Sequence, residues 1–294
     1  MYYRRKILLS LLQVFNNQLD RISLQKLLML FSKLQSRPDY HFVPYIYGCY
    51  SFQASADLST MAKYKQVEEV GKKWLKTDKT DYLQELKDSD RKALRNIKSL
   101  YAGKTKDELI RITYLQYPFF VLNSTISHEV LNATEYQALE LVKPSFNSTV
   151  LFTLGYEGVS LEEYLNKLIV NGIKMLCDVR KNSLSMKYGF SKSQLKHACQ
   201  GVRIQYVHIP DLGIESDKRQ ELHTQSDYDV LFRQYHNDTL TKTRPQQEYI
   251  LELLKENKRI ALTCFEANIC QCHRKHLAEA VTQLPGFDYE LKHI

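Results

Sequence analysis

Apolar residues recur at helical spacing through the first third of the chain. Leu8, Leu11, Leu12 and Phe15 share one face of a first segment, and Leu24, Leu27, Leu28, Phe31 and Leu34 share one face of a second. Ser23 is the expected N-cap of the second helix, and Pro38 and Asp39 end it. Tyr40–Tyr50 is aromatic and β-prone, broken by Pro44 and Gly48. A third helix is expected over Ala56–Tyr64, capped by Ser55, with Leu58 and Met61 inward. The stretch VEEVGKKWLKT then places two short apolar runs about Gly71, as a hairpin does.

Helix, helix, helix and a hairpin tipped with lysines is the order of a winged helix-turn-helix. In that design one helix enters the major groove while the wing meets phosphates. Lys63, Lys65, Lys72, Lys73 and Lys76 are the candidate nucleic-acid contacts. The same pattern also suits a helical module that docks a protein partner. Asp81–Leu141 reads as further helices. Leu83, Leu86, Leu94, Ile97 and Leu100 are in register, Gly103 is a stop, and Ser127 or Thr134 caps the last helix. LVKPSFNST is the most linker-like stretch. The expected division is a basic winged-helix-like domain over 1–80, a helical connector over 81–147 and an α/β domain over 148–294.

Beyond the linker the pattern alternates. Strands are expected at Thr149–Leu154, Ile173–Asp178, Ile204–Ile209, Arg259–Thr263 and Tyr289–Ile294. Helices fall between them at Leu161–Val170, Ser191–Cys199 (capped by Ser191), Tyr228–Thr239, Gln246–Lys255 and after the Cys264–Arg274 loop. Such alternation implies right-handed crossovers and a Rossmann-like parallel sheet with helices on both faces. Ligands in such folds bind beyond the carboxyl ends of the strands. Those ends carry Gly155–Gly158, Asp178–Ser185, Pro210–Gly213 and Cys264–Arg274.

Charge sharpens this picture. Residues 1–148 hold 22 Lys and Arg against 15 Asp and Glu, whereas residues 149–294 hold 19 against 18. The excess of the whole chain, +8, therefore belongs almost entirely to the first half, which points that half toward nucleic acid. A hydrophobic content of 44%, with 20 Tyr and 12 Phe, fits a well-cored globular chain. No apolar run is long enough to span a membrane. The basic, apolar N-terminus reads as an amphipathic helix and not as a signal peptide. Six unevenly spaced cysteines point to a reducing, cytoplasmic setting.

Half of those cysteines lie within nine residues, in RIALTCFEANICQCHRKHLAEAV. A strand, a polar loop and a helix start make an anion-binding arrangement, where a thiolate gains from the helix dipole and a nearby Arg or His. Cys272 is accordingly expected to ionise before the strand-end Cys264. Glu266, His273 and Asp178 are the acid–base candidates beside them. Arg180 and Arg274, with Tyr156, Asn182 and Ser185, are the candidate anion ligands. Each has a plainer alternative: Asp178 can simply tie down Arg180, and Cys177 and Cys264 can be small core residues.

The stretches TLGYEG, DVRKNSLSMKYGFS, IQYVHIPDLGI and LTCFEANICQCHR resemble a bacterial and archaeal family, the "domain of unknown function" family four-eighty-eight, over about Val150–Ile294. Its C-x-E and C-H-R elements fall on Cys264, Glu266, Cys272, His273 and Arg274, and its D-V-R on Asp178 and Arg180. Ser183 stands where a Pro is common and Met186 where an Arg often stands, which removes one possible anion contact. The resemblance implies a rhodanese-like or cysteine-phosphatase-like fold with a strand–Cys-loop–helix unit. Cys264 lies ten residues before Arg274, however, unlike the tight loop of those enzymes.

Together these readings describe a nucleic-acid-associated protein, with DNA the expected partner. Its α/β domain would act as a hydrolase or transferase on a nucleic acid, nucleotide or other phosphate-bearing ligand, with bacterial genome defence or nucleic-acid modification as the setting. No cofactor, metal or membrane is assigned in that reading, while a protein partner or a second copy remains open. The alternatives are a DNA-binding sensor holding zinc on Cys264, Cys270, Cys272 and His273, and a non-catalytic adaptor.

Overall fold

The computed structural model describes residues 1–215, 217 and 222–294. It divides into two compact units, Met1–Lys143 and Pro144–Ile294.

The first unit begins with α1 (Tyr3–Val14), β1 (Gln18–Asp20) and α2 (Arg21–Ser32). A small hairpin of β2 (Val43–Tyr45) and β3 (Gly48–Tyr50) precedes α3 (Phe52–Lys63). The wing follows as β4 (Val67–Val70) and β5 (Lys73–Lys76), turning at Gly71 with φ of 62°. The three-stranded antiparallel sheet has the order β1-β5-β4. β1 was not expected: three residues with a single apolar side chain are too few to signal a strand, and only pairing with β5 makes them one.

The helix starts differ from those read in the sequence. Asp20, not Ser23, caps α2 by accepting from the amides of Ile22 and Ser23 at 3.1 and 3.0 Å. Ser51, not Ser55, caps α3, because the chain is already helical at Phe52. After the short α6 (Ser127–Val130), Asn132 caps α7 (Ala133–Leu141) in a reciprocal pair with Glu135, in place of Thr134 or Ser127. In each case the true cap is an extended residue just before the helix, which can receive amide protons from the first turn.

The apolar faces of α1, α2 and α3 meet in one core. It takes in Tyr82, Leu86, Leu94, Ile97 and Leu109, from a 3-10 turn at Tyr82–Glu85 and the residue that caps it, and from α4 (Asp88–Tyr101) and α5 (Lys106–Gln116). The helices read as a connector thus complete the core of the first unit. Leu34 and Leu100, expected inward, are exposed. Asp57 on α3 is buried between two cations of α1. Its carboxylate lies 2.6 Å from Arg4 Nε and 2.8 Å from Arg5 Nε, and accepts from Tyr40 Oη at 3.0 Å. Lys26 of α2 is also buried and donates to the carbonyls of Tyr47 and Cys49, holding the β2–β3 hairpin. Burial lowers its pKa.

The second unit is α/β. In order it has β6 (Val150–Gly155), α8 (Leu161–Val170), β7 (Met175–Asp178), α9 (Lys192–Gly201) and β8 (Gln205–His208). Then come α10 (Gln225–Tyr235) with a π-helical turn at His236–Leu240, α11 (Arg244–Asn257), β9 (Arg259–Cys264), α12 (His273–Thr282) and β10 (Glu290–His293). The five strands are parallel in the order β10-β6-β9-β7-β8 and are flanked by helices. Every residue of β6 and β9 is buried, as central parallel strands require. The register sets Gly155 beside Cys264, and Asp178 beside both Thr263 and His208. These strand ends form one rim. Among the described residues no helix is long and apolar enough to cross a membrane.

Candidate functional site

The loop after β9 is held largely by its main chain. The Phe265 carbonyl accepts from the amides of Tyr156 and Glu157 at 3.1 and 2.9 Å. The Ala267 amide donates to the Glu157 carboxylate at 2.9 Å. Arg274, 2% exposed, donates from Nη1 to the Glu266 carbonyl at 2.5 Å and from Nη2 to the Ala267 carbonyl at 3.3 Å. A Cβ at residue 155 would stand 2.0 Å from the Glu266 carbonyl oxygen, so only glycine lets the two segments meet.

Inside this frame Cys264 is fully buried. Its thiol donates to Glu266 Oε2 at 3.1 Å, and its Sγ lies 3.6 Å from His273 Nδ1. His273 Nε2 is 3.0 Å from the Val179 carbonyl, which can only accept. Nε2 therefore carries a proton, and Nδ1 faces the Cys264 sulfur. The ligand atoms of Cys264, Cys272 and His273 lie within 4.8 Å of one another.

Several expected roles change. Cys272 is 1% exposed, and burial, with Cys264 and Glu266 alongside, pushes its thiol well above the ordinary range. Desolvation there outweighs the helix dipole and Arg274, so Cys272 is not the ready thiolate read in the sequence. Cys270 is exposed and lies outside the cluster. Arg274 uses both terminal nitrogens on the loop, and its buried Nε has no partner among the described residues. Its guanidinium is therefore a loop clamp and not the presented anion ligand that was expected.

Arg180 is likewise internal. Its Nε and Nη2 meet Asp178 at 2.8 and 2.5 Å, while Nη1 donates to Tyr156 Oη at 2.6 Å and the Phe190 carbonyl at 3.0 Å. At 4% exposure it is not offered to a ligand, and fully buried Asp178 is its counter-ion and not an accessible base. Tyr156 is buried too, stacked on Phe190 with ring centroids 4.3 Å apart. Tyr206 Oη donates to Asp178 Oδ2 at 2.6 Å, and burial and that carboxylate raise its pKa. His208 Nε2 lies 2.8 Å from the Arg180 carbonyl. Neither Tyr206 nor His208 was singled out from the sequence, although IQYVHI sets them on one face at strand spacing.

Asn182 and Ser185 shape the loop after β7 and are not seen facing a common site. Asn182 Oδ1 accepts from the Leu184 amide, and Ser185 Oγ from the Lys187 amide. Of the basic candidates in the first unit, Lys63, Lys65, Lys72 and Lys73 are exposed. Lys76 is half-buried, donating to the Asp78 carbonyl, with its Nζ 5.5 Å from the centroid of the Tyr82 ring. Beyond β7 and β8 an open cleft of about 610 Å³ is lined by Lys181, Gly213, Tyr235, Asp238, Lys242 and Gln246 among others. The Tyr235 ring also packs edge-on against His273, with centroids 5.5 Å apart.

The rim thus brings the D-V-R, C-x-E and C-H-R elements together on adjoining strand ends. Residues 160–281 match the family described as Domain of unknown function DUF488. The DUF488 match covers Asp178, Arg180 and the whole Cys264–Arg274 loop. It leaves out Gly155, Tyr156 and the first unit. No curated protein and no solved structure gives a significant match to the chain.

Proposed function

We propose that the protein engages duplex nucleic acid, DNA in the first instance, through its first unit. Its DUF488 domain then acts on that nucleic acid, a nucleotide or another phosphate-bearing ligand. The observation that carries this reading is the wing. α1, β1, α2, α3 and the β4–β5 hairpin follow in winged-helix order, and exposed Lys72 and Lys73 stand at the hairpin turn. Lysines there suit phosphate contacts, with the exposed polar residues of α3 toward the groove. In the second unit Glu266 is the half-exposed member of the Cys264–Glu266–His273 chain of contacts and is the group placed to exchange protons with a ligand. A phosphatase-like attack by Cys264 is disfavoured, because the thiol is buried and Arg274 is turned to the loop carbonyls. Genome defence or nucleic-acid modification is the setting this pairing fits.

The test is binding of the full chain to a labelled duplex across a salt series. Affinity is expected to fall steeply with salt. Changing Lys72 and Lys73 together to Glu should weaken binding across sequences and flatten the salt slope by about 2. No binding at low salt would overturn the reading in favour of an adaptor. The observation on that side is the loop after β7, where Leu184 is 79% exposed and Met186 wholly so.

A further inference from the structure

Three buried ligand atoms converge where β9 meets α12, and proton transfer alone does not explain why two of them are thiols. We propose that Cys264, Cys272 and His273 bind a zinc ion, with the Glu266 carboxylate as the fourth ligand. The inference goes beyond the nucleic-acid reading and stands on the geometry of this cluster alone.

Distances come first. A tetrahedral zinc, with bonds of about 2.3 Å to sulfur and 2.0–2.1 Å to nitrogen, sets those two ligand atoms about 3.6 Å apart. Cys264 Sγ and His273 Nδ1 are 3.6 Å apart. The three ligand atoms of Cys264, Cys272 and His273 fall within 4.8 Å, so a small inward movement of Cys272 closes the set. Glu266 Oε2, 3.1 Å from Cys264 Sγ, is within reach of an ion bound to that sulfur.

Orientation comes second. A ligating histidine ordinarily donates its other ring N–H to a carbonyl or carboxylate, which fixes the ring. His273 does so already: Nε2 donates to the Val179 carbonyl, and Nδ1 is left facing the cysteines. The main-chain position of Glu266 is fixed by Arg274 and by the close approach of Gly155. The cage is preformed on three sides.

Charge comes third. Two thiolates and one carboxylate against a divalent ion leave one negative charge, and buried Arg274 supplies the balancing positive one. Thiolate and imidazole donors select zinc over magnesium or calcium. The set differs from the sequence-level zinc reading in one respect. Glu266 takes the place of Cys270, which is exposed and outside the cluster.

The experiment uses the full chain, stripped of metal with a chelator under reducing conditions and titrated with Co(II) as a spectroscopic stand-in for zinc. One equivalent is expected to give tetrahedral d–d bands and a thiolate-to-cobalt charge-transfer band, and Zn(II) should displace it. Cys272→Ser should cut Co(II) affinity by at least tenfold and weaken the charge-transfer band, and Cys270→Ser should leave both unchanged. Because Cys264→Ser removes a core residue, His273→Gln serves as the second ligand variant, with circular dichroism to confirm its fold. Absence of a charge-transfer band in the parent chain, or loss of it in Cys270→Ser, would overturn the proposal. So would a Cys264–Cys272 disulfide that persists in reduced buffer and excludes the metal. Duplex binding by the same samples reports separately on the nucleic-acid reading.

Discussion

At 4% exposure the Arg180 guanidinium has already committed its donors to Asp178, Tyr156 and the Phe190 carbonyl. Removing it would leave the Asp178 carboxylate buried without a counter-ion, answered only by neutral donors such as Tyr206 Oη and the main-chain amide of residue 180. Arg180→Ala is therefore expected to cost about 3–5 kcal/mol, and Arg180→Lys most of that, since an ammonium cannot fork to Asp178 and reach Tyr156 as well. Urea unfolding at neutral pH measures both. A lysine variant as stable as the parent would restore Arg180 to the role of an accessible anion ligand. The sequence displayed the D-V-R spacing but not its use, because two of the partners that decide it, Tyr156 and Tyr206, come from other segments. Cys272 was misread for a similar reason. Its place at a helix start is local and visible, whereas its burial comes from packing that no short window contains.

Among the elements, the periodic ones were legible. The strands and helices of the second unit lie close to their expected ranges, most plainly at β6, β7 and β9, where parallel strands buried on both faces leave apolar runs. β1 was not legible, since three residues of mixed polarity become a strand only beside β5. The caps Asp20 and Ser51 lie about one turn before Ser23 and Ser55, serines whose cap signal is as strong in the sequence. At this scale Gly155 makes the sharpest demand, with the Glu266 carbonyl where its Cβ would be. Gly155→Ala should force the β9 loop outward and cost about 3 kcal/mol. Thermal unfolding reads the cost, and hydrogen exchange at the Ala267 amide reads the displaced loop. An alanine variant with parental stability and unchanged protection there would contradict the close approach.

For the molecule as a whole, each unit closes its own core, and the basic excess sits in the first. That unit also has a built-in acid sensitivity. Burial alone would raise the pKa of Asp57, but hydrogen bonds from Arg4 and Arg5 outweigh it and hold the carboxyl below its usual value. A depressed folded pKa gives stability that is fully present above the unfolded value near 4 and is lost as pH falls through the folded one. Asp57→Asn is expected to cost about 3 kcal/mol at pH 7. Its deficit should shrink as the pH is taken below about 4, where the parent loses the same interaction. Unfolding followed at Trp74, in the first unit, tests this. A deficit unchanged between neutral and acid pH would contradict the ionic role.

The loop at 265–267 is gripped by its backbone. Partners from Tyr156, Glu157 and Arg274 hold the carbonyls of Phe265, Glu266 and Ala267 and the amide of Ala267. Few of those bonds ask which side chains the loop carries. Over generations such a loop can trade its side chains while its path through space stays put, like exchangeable bits in a fixed chuck. Single codon changes at residues 265–267 are then a short route to new chemistry on an old frame, whereas Gly155, Glu157 and Arg274 are where drift would break the tool.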